Sequence, residues 1–164
     1  MNADYFRLLY AYNDRANRMV LDAAAELSEA ELRATRAGLV EKCLLGSLAH
    51  VLGAELVWLS RWRGEPLPMV PGAADFASFA ALRERWEPHA ASLLAFIDGL
   101  TDEDVRETFE YANTRGDRFA NPLFELLAHV VNHGTQFRGE AAAVLSALGH
   151  SPGDLDLLAY LRSR

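Results

Sequence analysis

Cysteine is all but missing from the 164-residue chain: Cys43 stands alone, so no internal disulfide can form. Long apolar runs are missing too. Although 51% of the residues are hydrophobic, no stretch approaches the ~18 consecutive apolar residues of a membrane span. Basic residues are outnumbered, 16 Lys and Arg against 23 Asp and Glu, for a net charge of −7. A nucleic-acid groove needs clustered cations, and this balance argues against one. The opening segment MNADYFRLLY has no basic stretch followed by a long apolar one and a small-residue cleavage site, so it does not read as a secretory signal. These absences together predict a cytoplasmic protein with neither nucleic acid nor membrane as partner. No repeats or low-complexity segments stand out. At this length and ordinary composition, a single domain over residues 1–164 is expected, with a core that needs no staples.

What the chain does have is helical periodicity. The longest helix-like run, Asn121 to Gly149, carries His129 and His133 four residues apart. That spacing puts both imidazoles on one helix face, ~6 Å apart along the axis, where they can converge on one metal ion. A third ligand must come from another helix, and His50 is the candidate. Pro122 suits the first position of this fourth helix.

Three further helices precede it. Residues 3–27 place Tyr5, Leu8, Leu9, Tyr12, Ala16, Met19, Val20, Ala23 and Leu27 at three- and four-residue spacing. Ser28 and Glu31 form a capping-box pattern for a short turn. The second helix, 41–63, stops at Gly64 and is lined on one side by Gly46, Ser47, Ala49, Gly53 and Ala54. Such small residues imply close approach of a neighbour or room for a ligand, because glycine inside a helix costs ~1 kcal/mol against alanine. A Pro-rich linker, 65–74, leads to a third helix over 75–100, with Asp75 as its expected N-cap and Pro88 expected to kink or divide it. His89 beside it has no partner at ligand spacing and reads as structural or exposed. Thr108–Tyr111 and Arg118–Ala120 flank a turn at 113–117, which predicts a small hairpin or extended loop. The RGD within it is a turn signal. Beyond Gly149, Asp154 or Asp156 can cap a short last helix packing Leu157, Leu158 and Leu161. The resulting architecture is all-α: a four-helix bundle with a long crossover between helices 2 and 3 and a small hairpin or extended loop between helices 3 and 4.

The segments YAYNDRANRMVLDAA, SLAHVLGAELVWLSRWRGE, LLAHVVNHGTQFRGEAA and LGHSPGDLDLLAYLR, in that order over nearly the whole chain, resemble the DinB/YfiT-like proteins, a superfamily of metal-binding four-helix bundles. The resemblance implies a metal site with one histidine from the second helix and two, one turn apart, from the fourth. His50 matches the first position. The fourth-helix pattern is similar to NHGTxHRGQ, whose two ligands fall at His133 and residue 137, and here residue 137 is Phe137. Phenyl cannot coordinate. His129, one turn before His133, can stand in, giving His50, His129 and His133 as a shifted triad. The resemblance further implies a homodimer and a divalent transition metal, zinc or nickel. It also implies thiol-dependent transfer or hydrolysis of small molecules, with low-molecular-weight thiols as cosubstrates.

Two readings follow. In one, the chain is a metal-dependent transferase or hydrolase acting through His50, His129 and His133. In the other it is a non-catalytic dimeric bundle whose metal site is degenerate at Phe137, with Trp58, Trp62 and Trp86 as an aromatic surface. Asn132, Thr135, Arg138 and Glu140 read as polar surroundings or solvent-facing groups, Arg138 as a paired surface residue.

Overall fold

A computed structural model of the chain describes residues 2–113 and 115–164. The protein is mostly helical, with one small sheet. In order, the elements are α1 (Ala3–Ala24), α2 (Glu29–Arg33), α3 (Leu44–Arg63), α4 (Phe79–Asp98), β1 (Thr108–Ala112), β2 (Arg118–Pro122), α5 (Leu123–Ala147) and α6 (Leu157–Arg162). Single 3-10 turns at Ala73–Asp75 and Asp104–Arg106 interrupt the connections. Thr114, in the expected hairpin turn, lies outside the described residues. None of the helices is long and apolar enough to cross a membrane, among the described residues.

Local chemistry explains most boundaries. Asn2 caps α1 by accepting from the Tyr5 N–H, and Ser28 with Glu31 forms the expected capping box on α2. Gly64, at φ +66°, ends α3 in the left-handed conformation that glycine adopts without strain. Other boundaries depart from expectation. Ser78, not Asp75, caps α4, because Asp75 is drawn into the 3-10 turn by the Gly72 N–H. Pro88 neither ends nor divides α4, which runs unbroken from Phe79 to Asp98. Pro122 closes β2 rather than opening the helix, so α5 begins one residue later. Of the three terminal leucines, Leu157 packs on the core while Leu158 and Leu161 stay exposed. Asp156 is the residue that caps α6.

The four long helices α1, α3, α4 and α5 each pack on two others, in the cyclic order α1, α5, α3, α4. The linker between α3 and α4 runs across α3, where a Cβ on Gly53 would stand 2.9 Å from Val70 Cγ1. That glycine accommodates the crossing chain. β1 and β2 pair antiparallel, Tyr111 opposite Phe119, and Tyr111 lies against Trp58 of α3. Trp58, Trp62 and Trp86 are all buried, so they form core rather than an aromatic surface.

The core is divided. One apolar cluster gathers Val20, Leu45, Leu52, Leu82, Trp86, Phe137 and Leu145, the other Phe6, Tyr10, Trp58, Ile97, Leu127 and Val131. At ~1.5–3 kcal/mol per fully buried large side chain, these two clusters dominate the favourable side of folding. Between them every long helix contributes polar side chains: Asn13 and Asn17 from α1, Glu55 from α3, His89 from α4 and Arg138 from α5, all buried. His50 and His133 sit at the same level on their helices, half-buried.

Candidate functional site

His50 and His133 meet. Their Nε2 atoms are 3.1 Å apart, across the α3–α5 packing seam. His129 is one turn away on α5, its ring centre 5.9 Å from that of His133, and its other neighbour is Trp58, edge-on at 5.5 Å. Phe137 completes the local packing: its ring centre lies 4.2 Å from His50 and 4.7 Å from His133. Thus the structure brings His50 and His133 together and leaves His129 beside them. Among the described residues no three His, Cys, Asp or Glu side chains converge as a metal-binding group.

The turn before α3 supplies a residue that sequence reasoning missed. Glu41 Oε1 stands 3.1 Å from His50 Nδ1. A carboxylate there favours a proton on Nδ1 and leaves the Nε2 lone pair facing His133. On the expected helix starting at residue 41, Glu41 and His50 would point to opposite faces, nine residues being two and a half turns. Instead the helix starts at Leu44, and Lys42, at φ +64°, reverses the chain so that Glu41 folds back. Gly46 permits this: a Cβ there would lie 2.7 Å from the Glu41 carbonyl oxygen.

Electrostatics favour the neutral form of His133. Burial, reinforced by the neighbouring His50 and His129, lowers the His133 pKa to about 4 against a weaker opposing pull from Glu55. His133 is therefore neutral at pH 7, the form in which imidazole coordinates metal. Two imidazole nitrogens bound at ~2.0–2.1 Å to one tetrahedral ion stand ~3.3 Å apart, close to the observed separation. The residues present fit two adjacent ligand positions.

A second arrangement lies behind the first. Arg138 is 3% exposed, not a surface residue, because its guanidinium folds back over Gly134 into the core. Its Nη1 donates to Asn13 Oδ1 at 2.5 Å and to Asn17 Oδ1 at 2.9 Å. The amides of the same two asparagines donate to Glu55 Oε1 at 2.8 and 3.1 Å. His89, buried rather than exposed, stands with Nε2 3.4 Å from Glu55 Oε2, a contact too poorly aligned for a hydrogen bond. Burial pushes the Glu55 carboxyl up, but His89 and the two amides outweigh it and hold it below the usual carboxylate range. Glu55 and Arg138 each follow a site histidine by five residues, and α1 ties them together.

A family comparison decides the kinship. The model of the DinB family matches residues 1–164. The chain belongs to the DinB family. It is also 25% identical over 173 residues to "Protein DinB" of Bacillus subtilis (strain 168), an alignment covering 97% of this chain and 95% of that protein. Within this DinB chain, the departure at Phe137 is a packing feature as well as a chemical one. Its phenyl ring, 5% exposed, fills the space beside both imidazoles.

Proposed function

We propose that this DinB-family protein is a four-helix bundle, with a long crossover between α3 and α4, in which His50 and His133 bind a divalent transition metal, zinc or nickel. His129 completes the ligand set by turning away from Trp58. The observation that carries this reading is the His50–His133 contact of 3.1 Å between Nε2 atoms, with Glu41 against the far nitrogen of His50. A carboxylate behind a ligand histidine orients the ring and raises its basicity, which metal sites use widely. An ion held there by neutral imidazoles would leave open positions and would supply Lewis acidity to a bound water or thiol. The activity proposed is a metal-dependent, thiol-linked transferase or hydrolase of small molecules, in a cytoplasmic homodimer. The test is metal content by mass spectrometry of untagged protein: near one ion per chain in the parent and little in His133→Ala. A parent without metal after incubation with zinc or nickel would refute the reading.

A second reading has its own support. Phe137 packs, tilted, against both imidazoles and occupies the position that the family pattern gives to a ligand. On this reading the site is degenerate and the protein is a non-catalytic dimeric bundle. Phe137→His should then create metal binding that the parent lacks. Equal, weak binding by parent and variant would show that Phe137 had disabled nothing.

A further inference from the structure

The C-terminal segment lies against α1 without sealing onto it. No residue of α6 is buried. The Tyr12 hydroxyl ties the segment down by donating to the Leu155 carbonyl at 2.8 Å, and the Tyr12 and Tyr160 rings meet at 5.9 Å. Gly153, at φ +84°, turns the chain past Met19, whose methyl carbon would stand 3.5 Å from a Cβ placed there. Between α1 and this segment lies a cleft of about 250 Å³, lined by neither His50 nor His133. An apolar cavity of ~150 Å³ holds a benzene molecule, so the cleft has room for one ring and a short polar tail. Pockets for drug-sized ligands run to ~300–1,000 Å³, so a nucleotide or large cofactor does not fit.

The lining is aromatic and apolar inside and charged with both signs at the rim. Tyr12 is buried, Met19 and Tyr160 are half-buried, and Arg15, Asp154 and Asp156 are exposed. The Arg15 guanidinium carbon lies 5.9 Å from the Tyr160 ring centre. Asp154 and Asp156 each spend one oxygen, Oδ1, on a backbone N–H, that of Asp156 and that of Leu158. Among the described residues, neither Arg15 nor either aspartate belongs to an ion pair. A cation and two carboxylates thus share one cleft and do not meet. The backbone bonds pin the carboxylates and the Tyr160 ring steadies the guanidinium, so the gap between the charges belongs to the fold. A molecule carrying both an ammonium and a carboxylate satisfies both ends at once. A singly charged one meets its own sign at one of them.

We propose that this cleft binds a small zwitterion, a free amino acid with an aromatic or apolar side chain. Its carboxylate lies on Arg15 and its ammonium on Asp154 and Asp156, with the side chain against Tyr12, Met19 and Tyr160. The site stands apart from the histidine pair and does not depend on the metal reading.

The experiment is a ¹H–¹³C NMR titration of the full chain with methyl-labelled methionine. It reads the Met19 methyl, with that of Met69, exposed in the linker after α3, as control. The ligands are L-phenylalanine, phenethylamine, which lacks the carboxylate, and 3-phenylpropionate, which lacks the ammonium. Phenylalanine should shift Met19 saturably, leave Met69 in place and bind at least three-fold tighter than either other compound. The factor is modest because the rim charges are exposed. Arg15→Gln should abolish the preference over phenethylamine. Asp154→Asn combined with Asp156→Asn keeps both Oδ1 acceptors and the α6 cap, and should abolish the preference over 3-phenylpropionate. Equal binding of the three compounds, or a preference that survives its variant, would overturn the proposal. So would equal shifts at Met69, or no saturable shift at Met19.

Discussion

At the scale of single residues, the site depends on which nitrogen of His50 carries its proton. Glu41, 3.1 Å from Nδ1, sets that choice. Removing such a carboxylate typically lowers metal affinity ~10–100-fold, so Glu41→Ala should weaken zinc or nickel binding by that order in calorimetric titration. Unchanged affinity would deny Glu41 the role. The acid behaviour of the protein follows from two groups of depressed pKa. His133, at about 4 in the folded protein, titrates near 6.5 when unfolded. The unfolded state then binds the extra proton between those values, and stability falls as pH drops through that window. Glu55, held below the usual carboxylate range, adds a second loss at still lower pH, where it too must be protonated. Thermal melts from pH 7 to 4 should decline, and His133→Gln should flatten the part above the carboxylate range. The residues that met were legible in advance to different degrees. His50 and His133 were readable from spacing and pattern. Glu41 was not, because a left-handed Lys42 cannot be read from a charged residue in a helical pattern. Arg138 read as a paired surface residue and His89 as structural or exposed, because periodicity marks apolar faces, and a buried polar network interrupts them.

At the scale of elements, two glycines of α5 make a matched pair. A Cβ on Gly134 would stand 2.6 Å from Arg138 Nη1 and 3.0 Å from Asn13 Oδ1, whereas one on Gly139 would meet nothing within 4 Å. Gly134→Ala must displace a charged, buried hydrogen bond, at ~1–3 kcal/mol. Gly139→Ala should instead stabilise by up to ~1 kcal/mol through helix propensity. Urea denaturation of the two variants checks both signs. The same physics answers the small-residue side of α3. Gly46 makes room for the backbone of the preceding turn, and Gly53 for the linker, so the close neighbours there are connecting segments. Helix existence was legible from periodicity. The starts of α3, α4 and α5 were not, because each is set by a tertiary contact or a competing turn: the folded-back Glu41, the Asp75 turn and the β1–β2 pairing.

At the scale of the whole molecule, α1 serves as the tie between α3 and α5. Asn13 and Asn17 accept from Arg138 and donate to Glu55, so one pair of amides links the two helices that carry His50 and His133. Truncating Glu55 to alanine strands a buried guanidinium and should cost ~3–5 kcal/mol, while Glu55→Gln keeps an acceptor and should cost markedly less. Equal losses in the two variants, read by denaturation, would argue that the network is packing rather than charge pairing. The central claim is that the two helices so tied present His50 and His133 to one metal ion. X-ray absorption at the metal edge of the zinc- or nickel-loaded chain tests it most directly. The account predicts at least two imidazole nitrogens at ~2.0–2.1 Å, with His133→Ala losing one of them or the metal altogether. An identical spectrum from His133→Ala, or a first shell without imidazole, would contradict it.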